Sequence, residues 1–262
     1  MGEGINQRYF FNISYNGVPY HGWQKQANTP DTIQQKIEEA LVAVLRAENP
    51  LVYGSGRTDT GVHAIQQMAH VDLPASTNTG QLLYSLNAVL PQSIALNDIQ
   101  SVAPEAHARF SAESRTYLYR ISLVKNPFLL NRVYFYLRSP DLPAMNEAAQ
   151  HLLGENRDFQ SFSKVRTSVN NFRCSVSEAC WREVKDPYGK SMLEFTIKAN
   201  RFLRGMVRAI VGTLLLVGEQ KLTVSDFINI MEHKDRKLAG RSVPPQGLYL
   251  SKITYPGWIN LR

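Results

Sequence analysis

Residues 9–17, Tyr9-Phe10-Phe11-Asn12-Ile13-Ser14-Tyr15-Asn16-Gly17, set the frame for everything that follows them. Tyr9, Phe11, Ile13 and Tyr15 stand two apart, the period of a strand, and Asn16-Gly17 supplies the turn that ends it. Next comes a helix that Asp31 is placed to cap: Ile33, Ile37, Ala40, Leu41, Val44 and Leu45 form a 3.6-period stripe that stops at Asn49-Pro50. Short strands near 51–56 and 66–73, a helix over 79–89 ended by Pro91 and a strand over 94–103 complete the order βαββαβ. The pattern restarts after Arg115, where TYLYRISLV reads as a strand. A helix over 141–153 follows Pro140, and strands 174–185 and 190–199 are joined at Asp186-Pro187-Tyr188-Gly189. Helices over 201–217 and 224–233 and a last strand over 247–255 give the second half the same order with one extra helix. Each half has the element order of a ferredoxin-like split βαβ unit. The expected architecture is therefore α+β. It has two subdomains, 1–105 and 106–262, sharing a mixed, mainly antiparallel sheet.

Composition narrows the class of protein. The chain has 262 residues, is 44% hydrophobic and 19% charged, and carries a formal charge of +7. These values belong to a globular chain and not to a disordered or collagen-like one. No apolar run approaches the ~20 residues of a membrane span. The start, MGEGINQRYFF, lacks a basic segment followed by an apolar stretch and a cleavage site, so a cytoplasmic protein is expected. Cys174 and Cys180 are the only cysteines, too few for a disulfide framework, and are expected to be reduced packing residues.

Charge is concentrated. Between Gln160 and Arg208 stand ten basic residues (Lys164, Arg166, Arg173, Arg182, Lys185, Lys190, Lys198, Arg201, Arg204, Arg208) against four acids, an excess of 10 − 4 = +6. Phe159, Phe162 and Phe172 are interleaved with them. Cations alternating with aromatic rings suit a phosphate backbone with unstacked bases, although a solvated basic surface has the same composition. Within NRFLRGMVRAIVG, a helical spacing puts Arg201, Arg204 and Arg208 on one face with Gly205 and Gly212, and Phe202, Leu203, Met206, Val207 and Ile210 on the other. Three guanidiniums on one face repel one another unless anions come between them.

Residues 54–64 read GSGRTDTGVHA, a glycine-rich turn between two strands. Asp59 there can cap backbone amides in a plain hairpin. A metal site formed by Asp59, His63, His70 and Asp72 is disfavoured, because His63 and His70 are seven apart on a strand and so lie on opposite faces. No metal and no cofactor is expected.

GRTDTGVHA resembles the GRTDAGVHA signature of the tRNA pseudouridine synthase A family. Five more blocks similar to that family follow the same order: YNGVPYHGWQKQ at 15–26, ARFSAESRTYLYRI at 108–121, RDFQSFSK at 157–164, NRFLRGMVRAIVG at 200–212 and PPQGLYL at 244–250. Thr60, Asn16 and Arg157 depart from the usual Ala, Asp and His. The resemblance implies the pseudouridine synthase fold, a homodimer, and isomerisation of uridine at positions 38, 39 and 40 in the anticodon stem-loop of tRNA. It also implies roles. Asp59 is the catalytic carboxylate, and Arg208 is the cation that keeps it ionised. Tyr117 stacks on the extruded uracil, Arg57 fills or props the vacated space, and Leu248 is an apolar wall. Arg201, Arg204, Lys164 and Arg166 remain the expected RNA contacts of the basic stretch. A non-catalytic RNA-binding module is the rival reading, and it has no use for Asp59 or Arg57.

Overall fold

The computed structural model describes residues 6–46, 50–164, 170–259 and 261. Arg166, expected above to contact RNA, lies outside the described residues. The chain forms two compact units, one made of residues 1–113 and 250–262 and the other of 114–249.

The first unit follows β1 (Asn6–Tyr15), α1 (Ile33–Leu45), β2 (Tyr53–Gly54), β3 (His63–Pro74), α2 (Thr79–Val89) and β4 (Ile94–Val102). β1 lies between β4 and β3, antiparallel to both, and β2 pairs with β3. The resulting order, β4-β1-β3-β2, is that of a ferredoxin-like unit. Alternation in β1 buries Tyr9, Phe11, Ile13 and Tyr15 as the sequence period requires, and the α1 residues Ile33, Ile37, Ala40 and Leu41 are buried as well. Phe10, on the opposite face, is also buried, with its ring edge-on to Tyr255 at 5.3 Å. Three local expectations change. The cap of α1 is Thr32, whose side chain accepts from Gln35 N, while Asp31 lies near Lys36 at 3.7 Å. The helix ends at Leu45, with Arg46 left-handed at φ 52°, before the expected Asn49-Pro50 stop. The expected strand over 51–56 contracts to Tyr53–Gly54, paired with His70 and Ala69, and the next residue turns its Ser55 Oγ to Gln67 Oε1.

The second unit follows β5 (Ser114–Ser122), β6 (Tyr134–Phe135), α3 (Leu142–Gln150), β7 (Gly154–Asp158), β8 (Arg173–Lys185), β9 (Ser191–Ala199), α4 (Met206–Gly218) and α5 (Val224–His233). β5, β9, β8 and β7 are antiparallel neighbours in that order, and β6 adds a short parallel pair to β5. Tyr119, Ile121, Phe195, Ile197, Ala179 and Trp181 are buried from these strands, with Met145, Ala148 and Ala149 of α3. α4 is apolar nearly all round, as a helix at the centre of a core must be. The final strand, β10 (Leu248–Thr254), starts in the second unit and from Leu250 onward belongs to the first. There Ile253 N donates to Gln66 Oε1 at 2.9 Å.

The basic segment differs from expectation in three ways. The helix begins at Met206 rather than 201: Gly205 caps it at φ 72°, and Met206 N donates to Leu203 O, so Arg201 and Arg204 precede the helix and do not share a helical face with Arg208. Gly212 does not open a surface to phosphate. A Cβ there would sit 1.9 Å from the Arg241 carbonyl oxygen, so this glycine is a close-packing point between α4 and the 239–243 segment. Phe159 and Phe162 are core residues, buried to 1% and 0%, with Phe162 stacked on Phe227 at 5.8 Å; they are unavailable to RNA bases.

Candidate active site

The turn carrying Asp59 is held from both sides of its sequence. Tyr15 at the end of β1 hydrogen bonds through its hydroxyl to Thr58 Oγ1 at 2.8 Å. Trp23 N donates to Thr58 O at 3.2 Å, and Gly61 N to Tyr20 O at 3.4 Å. Inside the turn, Val62 N donates to Asp59 O at 3.1 Å and Gln67 Nε2 to Gly56 O at 3.0 Å. Gly22, at φ 93°, faces the same backbone, and a Cβ there would lie 2.4 Å from Thr58 O. The segments 15–26 and 54–64 are thus one construction. The first supplies the aromatic and glycine seat on which the second is fixed. Thr58 is buried, Asp59 is half-buried, and Arg57 and Thr60 are exposed, so the carboxylate stands on a rigid turn at the surface of its unit. Pre-fixing the backbone is what an acid or nucleophile needs to meet a substrate atom without reorganisation.

The histidines of β3 are occupied with the backbone. His63 Nδ1 accepts from Gly17 N at 3.2 Å, and His70 Nδ1 accepts from Ala108 N at 3.2 Å. Asp72 is paired with Arg8 at 2.8 Å, and that guanidinium holds its carboxyl below the usual range. Among the described residues no three His, Cys, Asp or Glu side chains gather as metal ligands.

The second unit carries Tyr117, Arg208, Leu248 and the basic residues. Tyr117 is half-buried on β5 opposite Ile197, and the ring of Phe202 meets it edge-on at 4.9 Å and 82°. Periodicity places Phe202 on an apolar helix face, and its contact with Tyr117 is a long-range one that the sequence does not signal. Arg208, half-buried on the first turn of α4, donates from Nε to Val243 O at 2.6 Å and accepts through its carbonyl from Val243 N at 3.1 Å. The arginine stem is thereby clamped to the segment leading into Pro244-Pro245-Gln246-Gly247-Leu248. Tyr119 hydroxyl donates to Pro244 O at 2.8 Å, and burial pushes that phenol well above its usual range. Leu248 is buried. Lys164 N donates to Arg204 O at 2.9 Å, which brings two exposed basic residues together beside the N-terminus of α4. Cys174 is buried near Arg201 with its thiol pushed up to about 11 by desolvation, so it is inert at neutral pH.

Residues 148–256 match the family model described as tRNA pseudouridine synthase. A tRNA pseudouridine synthase A of Parabacteroides distasonis is 47% identical over 253 residues, covering 95% of this chain and 96% of the relative. The protein of that description from Porphyromonas gingivalis is 44% identical over 251 residues, covering 95% and 97%. One from Rhodospirillum rubrum is 41% identical over 253 residues, covering 95% and 88%. Fold and similarity together define a pseudouridine synthase, an isomerase class. Within that class the chain belongs to the tRNA pseudouridine synthase A family.

Proposed function

We propose that the protein isomerises uridine to pseudouridine at positions 38, 39 and 40 in the anticodon stem-loop of tRNA, as a cytoplasmic homodimer. The observation that carries this reading is similarity running through 95% of the chain to relatives named for the activity. The reaction breaks the N1 to C1′ bond, turns the uracil and rejoins it through C5, so nothing enters or leaves. Asp59 supplies the reacting carboxylate from its fixed turn. Arg208 supplies the cation that opposes the rise in carboxylate pKa expected in a dry pocket. The target base must first leave the stack, at a cost of a few kcal/mol. Tyr117 receives it, Arg57 occupies the space it leaves, and Leu248 closes the pocket with an apolar surface. Lys164, Arg201, Arg204 and Arg166 contact phosphates and set the register.

The test is direct: purified protein is incubated with unmodified tRNA transcript, and pseudouridine is mapped by nucleotide. Product at 38, 39 and 40 is expected. Product elsewhere in tRNA would overturn the positions alone. Tight binding with no product at any uridine would favour the non-catalytic reading.

A further inference from the structure

The loop after β4 carries an exposed aromatic ring that the proposed chemistry leaves unused. Phe110 is 76% exposed. Its backbone is nevertheless held firmly. His107 Nδ1 accepts from both Arg109 N at 3.1 Å and Phe110 N at 3.3 Å, and His107 N donates to Ser111 Oγ at 3.0 Å while Ser111 N donates to His107 O at 3.0 Å. The turn is bolted to its unit by Ala108 N on His70 Nδ1, by the Tyr255 hydroxyl on Ala108 O at 2.5 Å, and by Arg8 Nη1 on Ala106 O at 3.1 Å.

Rings continue behind it. His107 lies 4.4 Å from Phe110, His70 is 4.5 Å from His107, and Tyr53 is stacked on His70 at 5.0 Å with an interplanar angle of 16°. Tyr53 is itself 49% exposed. Burial is the largest influence lowering the basicity of both histidines, so the column is neutral at pH 7. Outside it, the Arg109 guanidinium sits over the Phe110 ring at 5.5 Å. A rigid turn that presents a bare ring beside a guanidinium contributes little to the core. It matches a nucleotide whose base is unstacked: the base finds a π surface, and the phosphate finds a cation.

We propose that Phe110 and Arg109 form a nucleotide-binding platform for the RNA substrate, separate from the pocket that receives the reacting uridine. His70 stands seven residues along β3 from His63, the strand's first residue after the Asp59 turn, or roughly 23 Å at strand rise. The platform therefore holds a nucleotide remote from the target and contributes to placing the stem-loop. That the ligand is tRNA rests on the proposed function; the ring and cation geometry does not.

The experiment measures binding without turnover. Unmodified tRNA transcript is titrated into wild type and into Phe110→Ala, Phe110→Leu and Phe110→Trp at fixed salt. Loss of one stacked base weakens binding about 5- to 150-fold. Ala and Leu variants should both show that loss, since Leu keeps apolar bulk without a π face. Trp should restore affinity, and its fluorescence should be quenched on adding tRNA. Because the residue is exposed, thermal midpoints should agree, and any variant whose midpoint falls is judged by the Trp quenching instead. Unchanged affinity in both Ala and Leu variants, or an unquenched Trp, would overturn the proposal. So would Phe110→Ala altering self-association in sedimentation while tRNA affinity stays constant, since the ring would then meet protein. Failure to isomerise any uridine, with Phe110-dependent tRNA binding intact, would refute the proposed function and leave the platform standing.

Discussion

Asp59 illustrates how much a single residue depends on its seat. Its backbone is fixed through Thr58, Gly61 and Val62, so a change at the carboxylate can be separated from a change in the turn. Asp59→Asn is nearly isosteric and is expected to abolish pseudouridine formation while tRNA affinity stays within a few-fold of wild type. Residual turnover above about a thousandth of wild type would remove Asp59 from the chemistry. Tyr15→Phe tests the seat rather than the carboxylate. Removing the hydroxyl that meets Thr58 Oγ1 should cost about 1 kcal/mol in stability. It should lower the single-turnover rate more than it weakens tRNA binding, because the carboxylate becomes less well aimed. His70 gives a pH signature. Its ring is pushed down to about 4, first by burial and then by Arg8 and His107, against a smaller opposing influence of Asp72. A folded-state pKa below the unfolded value near 6.5 means that stability is full above about pH 6.5 and is lost as pH falls towards 4. Chemical unfolding at pH 7 and pH 4.5 should show a loss of about 2 kcal/mol from this group. His70→Asn, which keeps an acceptor for Ala108 N and cannot titrate, should lack that part of the loss.

Elements show what the sequence does and does not disclose. Strands with alternating apolar residues, such as β1 and β5, and helices with a clear stripe, such as α1 and α2, are legible because the period of their core-facing residues is local. The start of α4 is not legible because Arg201, Arg204 and Arg208 have helical spacing, while the backbone choice rests on Gly205, which takes φ 72°. Spacing cannot distinguish a helix from a loop followed by a helix. Charged neighbours make Phe159 and Phe162 look like base-stacking residues; only the packing of the 3₁₀ turn Gln160–Phe162 against α5 reveals them as core. The Asp59 turn was recognisable from its glycines and family signature, but its dependence on the 15–26 segment is a long-range fact. Gly205 at the cap of α4 and Gly212 within it give a matched test. Gly212→Ala drives a Cβ into the Arg241 carbonyl and should destabilise by about 1–3 kcal/mol or more. Gly205→Ala meets only Lys164 Cβ at 3.9 Å, so it should cost about 1 kcal/mol, from the left-handed backbone alone. Equal thermal shifts for the two would contradict this division.

At the scale of the whole molecule, net charge and assembly make the predictions. With Arg201, Arg204 and Lys164 on phosphates, log affinity for tRNA should fall linearly with log salt, by about 0.7 to 0.9 per contact. Arg204→Ala should flatten the slope by nearly one such step, and an unaltered slope would take Arg204 off the phosphate list. The proposed homodimer is tested by mixing. An Asp59→Ala subunit combined with a subunit mutated at Arg201 and Arg204 should recover activity if each tRNA bridges two chains; recovery of none, or a fully active monomer at high dilution, would count against bridging.

The course of β10 sets a timetable for biosynthesis. The first unit comprises residues 1–113 and 250–262, so it cannot be completed when residue 113 is made. It must wait for another 249 − 113 = 136 residues, which at about 5–20 residues per second is roughly 7–27 s of translation. During that interval Gln66 on β3 lacks the Ile253 amide that later meets it. A ribosome stalled near codon 240 should therefore display a protease-sensitive amino-terminal portion, and release of the full chain should protect it.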